Sequence, residues 1–170
     1  MRILTSRMEL IAGTPQMLRA EMQSHQALAT ALGATIPDAW PPGEHAGAGS
    51  FFVEQIELHP HFFGWLAWYG VVLQARTLVG SVGFKGIPEH GRVELGYSVL
   101  EAHQNMGYAS EMVRALVDWA HAQGQVDTVV ANAVATNGAS IRVLTRNGFA
   151  QVGGLNEYNE LAFENVKLRS

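Results

Sequence analysis

Apolar and polar positions along the 170-residue chain form a pattern that predicts seven strands and four helices. The predicted strands, which alternate in polarity or are rich in β-branched and aromatic residues, are residues 1–12, 64–75, 77–85, 92–99, 128–134, 150–153 and 161–168. The predicted helices, in which apolar residues recur every three or four positions, are residues 16–32, 50–58, 109 to a stop at Gly124, and 137–147. This order predicts one mixed α/β domain over residues 1–170, without a second domain.

Local signals support several of the helix ends. Thr14 before Pro15 is a typical helix start, and Gly33 and Gly148 are typical left-handed helix ends. The segment 36–49 is too rich in proline and glycine for regular structure. In the helix at 50–58, the residues expected to face inward are Phe51, Phe52, Val53 and Ile56.

The strand at 92–99 alternates cleanly, and this places one carboxylate away from the apolar side. The residues predicted on its apolar face are Val93, Leu95, Tyr97 and Val99. The opposite face carries Glu94, Gly96 and Ser98. Glu94 is therefore expected to oppose the core.

Composition and charge exclude several classes of function. A net charge of -4 gives no basic field for neutralising phosphates, so nucleic acid is not an expected partner. The chain has no cysteine, which excludes disulfides, thiolate metal sites and a cysteine nucleophile. His59 and His61 lack an identifiable third ligand, so no metal site is predicted. Without a signal peptide or an apolar window of about 18 residues, a soluble cytoplasmic protein without a membrane span is expected.

The turn between the strand at 92–99 and the following helix has the sequence Gln-Asn-Met-Gly-Tyr-Ala, residues 104–109. A helix start presents free backbone N–H groups and a partial positive charge, and small residues such as Gly107 and Ala109 permit close approach by a ligand. The turn is thus a candidate cradle for a pyrophosphate, with the Gln104 side chain as an added donor. A glycine that only makes a turn is the structural alternative. The G-x-G-x-x-G pattern of dinucleotide-binding proteins is absent from this turn.

The Q-x-x-G-x-A turn follows Val-Glu-Leu-Gly-Tyr and precedes Asn-Gly-Ala-Ser-Ile-Arg-Val-Leu-Thr-Arg-Asn-Gly-Phe at 137–149. Over residues 77–149 this combination resembles the GNAT superfamily of acetyl-CoA-dependent N-acetyltransferases, and within it the RimJ/RimL branch. The resemblance implies a central, mostly antiparallel mixed sheet with a splayed parallel strand pair and helices on both faces. It also implies acetyl-CoA as cosubstrate, with no metal.

The resemblance assigns roles to individual residues. The residues whose backbone N–H groups would hold the pyrophosphate are Gln104, Asn105, Met106, Gly107, Tyr108 and Ala109. The Val99 backbone would pair with the pantetheine amides, and Asn137 and Ser140 would contact the pantetheine arm and the sulfur. Capping of the helix at 137–147 by Asn137, with Ser140 simply in its first turn, is the alternative.

Amine acetylation requires removal of a proton from an ammonium group and protonation of a leaving thiolate. Glu94 is the candidate base, and an ion pair with Arg92 or Lys85 is the alternative. Many GNAT members have a tyrosine acid where this chain has Leu144, so Ser140 is the candidate acid. Ser98, Tyr97 and Tyr108 are weaker candidates, Tyr97 because it points to the apolar face.

The expected function is direct acetyl transfer in a ternary complex to a primary amine, either a small molecule or a protein N-terminus. A non-catalytic acyl-CoA-binding or sensor domain is the alternative, and a nucleotide-binding module is a third. The sequence does not identify the acceptor. Homodimers are common in the family, and nothing in the sequence tests this here.

Overall fold

The computed structural model describes residues 1–42 and 48–167, which form eight strands and five helices. The strands are β1 (Arg2–Leu4), β2 (Met8–Ala12), β3 (Trp68–Val72), β4 (Thr77–Phe84), β5 (Arg92–Val99), β6 (Thr128–Val134), β7 (Ala150–Leu155) and β8 (Glu160–Val166). The helices are α1 (Pro15–Gln23), α2 (His25–Leu32), α3 (Gly49–Leu58), α4 (Tyr108–Ala122) and α5 (Gly138–Arg146). Among the described residues, no helix is long and apolar enough to span a bilayer.

The strands form one sheet in the order β1-β2-β3-β4-β5-β6-β8-β7. Every neighbouring pair is antiparallel except β5 and β6, which are parallel and are connected through α4. The predicted fold class, a mostly antiparallel mixed sheet with one parallel pair, is confirmed.

Each face of the sheet is covered by helices, so the alternation of side chains along the strands produces two cores. Helices α4 and α5 cover one core, whose members include Val82, Leu95, Met112, Leu116 and Phe163. Helices α1, α2 and α3 cover the other, whose members include Leu18, Leu28, Ile56, Val71 and Leu78. The prediction of helices on both faces is also confirmed.

The prediction of a single strand over residues 1–12 is wrong, because the chain reverses between Thr5 and Met8. The backbone N–H of Thr5 donates to the Met8 carbonyl at 2.9 Å, and the Thr5 hydroxyl accepts from the Met8 N–H at 3.0 Å. The result is a hairpin of β1 and β2. A hydrogen bond between a side chain and the backbone three residues away competes with the hydrogen bonds that would continue a strand.

The prediction of one helix over residues 16–32 is also wrong, because Ser24 is extended and separates α1 from α2. Its hydroxyl accepts from the Ala27 N–H at 3.1 Å and so caps the start of α2. Gly33 ends α2 in the left-handed conformation, with φ of 62°, as predicted.

The segment after α2 differs from the prediction in smaller ways. Helix α3 begins at Gly49, and Val53 and Ile56 face inward, but Phe51 is 55% exposed and its predicted inward position is wrong. Part of the predicted irregular segment, residues 43–47, lies outside the described residues. The strand expected at 64–75 is limited to Trp68–Val72.

Candidate active site

Strands β5 and β6 separate halfway along their length. Their parallel pairing runs from Arg92 opposite Thr128 to Leu95 opposite Ala131, and residues 96–99 of β5 have no partner in β6. Strand β6 instead continues its pairing with β8 as far as Val134. One backbone edge of β5 is therefore left open to a ligand that can add to a strand.

Helix α4 begins beside this open edge, and backbone conformation shapes its start. Gly107 is the N-cap residue, with φ of 83°, and no side chain in the described part of the chain caps the helix. Asn105 has φ of 61°, in the left-handed region that asparagine tolerates better than most residues. The first N–H groups of α4 are thus without a side-chain acceptor, as an anion-binding helix start requires.

A cavity of about 480 Å³ lies between the open edge of β5, the start of α4 and the start of α5. Its lining residues are Tyr97, Ser98, Val99, His103, Gln104, Asn105, Gly107, Tyr108, Ala109, Ser110, Asn137, Ala139, Ser140, Arg142, Val143 and Arg146. Among the described residues, no carboxylate contributes to this lining, whereas two arginines do. The cavity therefore favours an anionic ligand.

Most residues assigned to cosubstrate binding from the sequence come together in this cavity. Of the residues assigned to the cosubstrate, Met106, which is 52% exposed, lies outside the lining. Glu94, which was assigned as the base and not to the cosubstrate, also lies outside it. The Gln104 side chain donates from Nε2 to the Val99 carbonyl at 3.1 Å, which ties the turn to the end of β5. Asn137 caps α5 by accepting from the Ser140 N–H at 3.0 Å, as the structural alternative anticipated.

Two hydroxyl groups meet across the cavity. Tyr97 on β5 and Ser140 in the first turn of α5 have their hydroxyl oxygens 2.7 Å apart. Tyr97 lies on the predicted apolar face, but its ring is long enough for the hydroxyl to reach the cavity. Burial raises the pKa of the Tyr97 phenol above its usual range, against an opposing hydrogen bond with Ser140.

Glu94 lies on the opposite face of β5 and makes two polar side-chain contacts. Lys85 Nζ lies 2.6 Å from Glu94 Oε1, and Asn132 Nδ2 donates to the same oxygen at 3.0 Å. The carboxylate is 31% exposed. The ion pair with Lys85 that the sequence left open is therefore present, while Arg92 pairs with Glu164 instead.

Arg7 lies in the turn of the β1–β2 hairpin and bonds the turn before α4. No sequence pattern identified it as a site residue. Its guanidinium donates from Nη1 to the Met106 carbonyl at 2.9 Å and from Nε to Glu111 Oε2 at 2.8 Å. It also lies 4.9 Å from the centre of the Tyr108 ring. Because these partners are about a hundred positions away, only the folded chain reveals the contact.

The sheet with one diverging parallel pair beside a helix start is the architecture of GNAT acetyltransferases, and the comparisons with known proteins agree. A family model described as the acetyltransferase (GNAT) domain matches residues 17–150. This match covers more than half of the chain, and the chain belongs to the GNAT acetyltransferase family.

Curated relatives give the same result. An uncharacterized N-acetyltransferase of Bacillus subtilis, YjdG, is 29% identical over 136 residues, which cover 79% of this chain and 80% of the relative. The ribosomal-protein-serine acetyltransferase of Escherichia coli is 30% identical over 101 residues, which cover 58% of this chain and 56% of the relative. These relatives agree with the predicted RimJ/RimL-like branch.

A solved structure supports the fold. RimL, a ribosomal L7/L12 alpha-N-protein acetyltransferase in complex with coenzyme A, superposes with a TM-score of 0.68 at 20% identity. The superposition covers 98% of each chain. At this identity the likeness concerns the architecture.

Proposed function

We propose that residues 1–170 form one acetyltransferase domain that transfers an acetyl group from acetyl-CoA to a primary amine by direct transfer in a ternary complex. The observation that carries this proposal is the cavity in which an open strand edge, an uncapped helix start and two arginines converge. These are the groups needed to bind a strand-like arm that ends in a diphosphate.

The chain offers separate groups for each part of coenzyme A. Of the backbone N–H groups that the sequence assigned to the pyrophosphate, that of Gln104 already donates to the Glu101 carbonyl at 3.1 Å. The N–H groups of residues 105–109 would hold the pyrophosphate, with Arg142 and Arg146 supplying positive charge at the same cavity. Residues 96–99 of β5 would pair with the pantetheine amides. Asn137 and Ser140 lie near the divergence of the strands, where the arm would end. When bound, the cosubstrate would supply an activated acyl group as a thioester.

Glu94 is the proposed base for the acceptor amine. Both of its side-chain contacts fall on Oε1, and Oε2 accepts no hydrogen bond from the described residues. This oxygen is thus available to take a proton from the ammonium form of the acceptor, directly or through water. The amine nitrogen would then form a bond with the acyl carbon and lose its second proton to water. As the carbonyl reforms, the C–S bond would break, and the sulfur would leave with the electron pair and take a proton from Ser140, which is then reprotonated.

The acceptor is proposed as a class only. The ribosomal-protein-serine acetyltransferase among the relatives supports a protein as acceptor, and we propose its N-terminal amine. A spermidine N-acetyltransferase shares the architecture, with a TM-score of 0.68 at 16% identity, and supports the inclusion of small amines. Both kinds of primary amine therefore belong in the first assay.

The experiment is a thiol-release assay with acetyl-CoA and a panel of short peptides with free N-termini, polyamines and amino acids. Coenzyme A binding is measured in parallel by calorimetry. We expect binding of coenzyme A and acceptor-dependent thiol release with at least one amine. Binding without release from any acceptor would favour the non-catalytic acyl-CoA sensor, and the absence of binding would contradict both functions.

A further inference from the structure

We propose that Tyr97 is a positioning residue that acts through Ser140, so that the two hydroxyls together deliver the proton to the leaving sulfur. This inference rests on the proposed acetyl transfer. It assigns a function to a side chain that the alternation pattern had placed on the apolar side of β5.

The contact joins two walls of the cavity that are 43 positions apart in the chain. Tyr97 belongs to the part of β5 whose edge has no partner in β6, and Ser140 belongs to the first turn of α5. Their hydroxyl oxygens lie 2.7 Å apart, and the Tyr97 hydroxyl is also 3.2 Å from the Ser140 carbonyl oxygen. The pair therefore connects β5 with α5, beside the point where β5 and β6 diverge.

The direction of this bond decides which hydrogen is left for a sulfur. The Tyr97 hydroxyl can donate to the Ser140 carbonyl at 3.2 Å or to Ser140 Oγ at the shorter distance of 2.7 Å, and the second is the proposed bond. Each hydroxyl has one hydrogen and can also accept. If Tyr97 donates to Ser140 Oγ, the serine hydrogen remains for a third atom in the cavity. The Ser140 backbone N–H is already held by Asn137 at 3.0 Å, which fixes the position of the serine. Tyr97 thus orients the serine proton toward the cavity.

The different acidities of the Tyr97 and Ser140 hydroxyls give a second reason why both would take part in protonating the sulfur. A thiolate takes a proton readily from an acid of similar pKa, and a phenol, with an ordinary pKa of about 10, is much closer to a thiol than an aliphatic hydroxyl is. Ser140 alone is therefore a poor donor. When the C–S bond breaks, the sulfur accepts the Ser140 proton while Ser140 Oγ accepts the Tyr97 proton, and Tyr97 recovers a proton from solvent.

Burial is consistent with this order of events. Tyr97 is partly buried, and burial raises the pKa of its phenol, which makes it a weaker acid than a free phenol. The phenolate left after proton transfer is correspondingly more basic and readily regains a proton. The cavity remains open to solvent at the side of α5, where Arg142 and Arg146 are exposed. This opening gives the phenol oxygen access to the proton that it must regain.

The test compares Tyr97→Phe with wild type for two acyl donors that differ in leaving group. With acetyl-CoA, we expect kcat to fall about 10- to 100-fold and the KM for acetyl-CoA to change less than about twofold. With an aryl thioester, whose thiolate leaves without protonation, we expect almost no difference. The matched control is Tyr158→Phe, which changes a 71% exposed tyrosine in the β7–β8 turn.

A binding measurement gives a readout apart from turnover. If the hydroxyl pair bonds the sulfur, coenzyme A should bind wild type more tightly than desulfo-coenzyme A does. This preference should disappear in Ser140→Ala and become smaller in Tyr97→Phe, while the thermal midpoint of each variant reports whether it has folded.

The outcomes separate this inference from the proposed function. Equal kcat for Tyr97→Phe and wild type with acetyl-CoA, or an equal loss with both donors, would overturn the role of Tyr97 while acetyl transfer stands. Wild-type protein that binds no coenzyme A, or that transfers no acetyl group, would overturn the proposed function and this inference with it.

Discussion

At the scale of single residues, the Glu94 carboxylate combines a fixed position with an available oxygen. Lys85 and Asn132 both contact Oε1 and so hold the side chain in one orientation. The contact with Lys85 is partly exposed, because Glu94 is 31% exposed and Lys85 is 66% exposed. Such a pair contributes little stability in water. Removing the charge of Glu94 is therefore expected to affect catalysis more than folding.

We predict that Glu94→Gln lowers kcat about 100-fold, in the range typical for loss of a general base, while the KM for acetyl-CoA changes less than about twofold. The measurement is steady-state thiol release with the best acceptor from the panel. Glu57→Gln is the matched control, since Glu57 is also a partly exposed carboxylate in an ion pair, with Arg19, but lies on α3 rather than in the sheet. Full activity in Glu94→Gln would exclude Glu94 as the base.

The sequence predicted those candidate-site residues that belong to local motifs. Gln104, Gly107, Asn137 and Ser140 lie in two short segments whose residue types indicate helix starts, and all four line the cavity. The meeting of Tyr97 with Ser140 was not predicted, because alternation along a strand gives the face of a side chain but not how far the side chain reaches. Contacts between distant segments require the fold.

At the scale of elements, the β1–β2 hairpin is bonded to the start of α4. Three consecutive hairpin residues, Thr5, Ser6 and Arg7, donate hydrogen bonds to the Glu111 carboxylate in the first turn of α4. The guanidinium of Arg7 also bonds the Met106 carbonyl, one residue before Gly107. The turn before α4, residues 104–107, is thereby held between the hairpin and the helix.

We predict that Arg7→Gln raises the Kd for coenzyme A about 10-fold, which corresponds to about 1.4 kcal/mol. The affinity for S-acetylpantetheine, which lacks the diphosphate, should change little, because Arg7 holds only the turn that would bind the diphosphate. Calorimetric titration of both ligands measures this difference. Arg19→Gln, which breaks an exposed ion pair with Glu57, is the control.

Equal weakening of both ligands by Arg7→Gln would instead indicate a general disturbance of the fold. Unchanged affinity for coenzyme A would show that the turn keeps its conformation without Arg7. The thermal midpoint of the variant distinguishes an unfolded sample from either result.

Periodicity predicted the bounds of an element well where a single pattern, typical of a strand or of a helix, extended over the whole element. The bounds of β5 and β6 match the prediction, and α5 lies within it. The prediction failed at Thr5 and Ser24, where a short polar side chain bonds nearby backbone and ends an element inside an otherwise continuous pattern. Both residues look like ordinary polar positions in the sequence, so periodicity alone did not detect these breaks.

At the scale of the whole molecule, a buried carboxylate joins parts of the chain beside the second core, which α1, α2 and α3 cover. Glu9 on β2 is 6% exposed and is paired with Arg2 on β1 and with Arg76 in the β3–β4 turn. Arg76 also donates to the carbonyls of Leu32 and Gly33 at the end of α2. The network thus connects the β1–β2 hairpin, the β3–β4 turn and the end of α2.

The protonation of Glu9 should therefore influence stability. Burial alone would raise the pKa of the Glu9 carboxyl, but hydrogen bonds and charges from Arg76 and Arg2 outweigh burial and hold the pKa below its ordinary value of 4.5. A carboxyl whose pKa is lower in the folded state stabilises that state at pH values above the unfolded-state pKa. The contribution is lost as the pH falls through the folded-state pKa.

We predict that Glu9→Gln lowers the free energy of unfolding at pH 7 by about 1.5–3 kcal/mol, the range for hydrogen bonds to charged groups. The difference from wild type should shrink as the pH is lowered from about 5 toward 3, because the wild-type carboxyl then becomes protonated and resembles the amide. Urea unfolding followed by circular dichroism at several pH values measures both quantities.

Glu57→Gln is the control for this series, since Glu57 is 48% exposed and its pair with Arg19 lies on the surface. This variant should differ little from wild type at any pH, because exposed pairs contribute little to stability. Glu111 also has a lowered pKa, caused by bonds from Thr5 and Arg7 that outweigh burial, so wild type and Glu9→Gln should both still lose stability in acid. A pH-independent difference between Glu9→Gln and wild type would show that packing, rather than the charge of Glu9, holds these elements together.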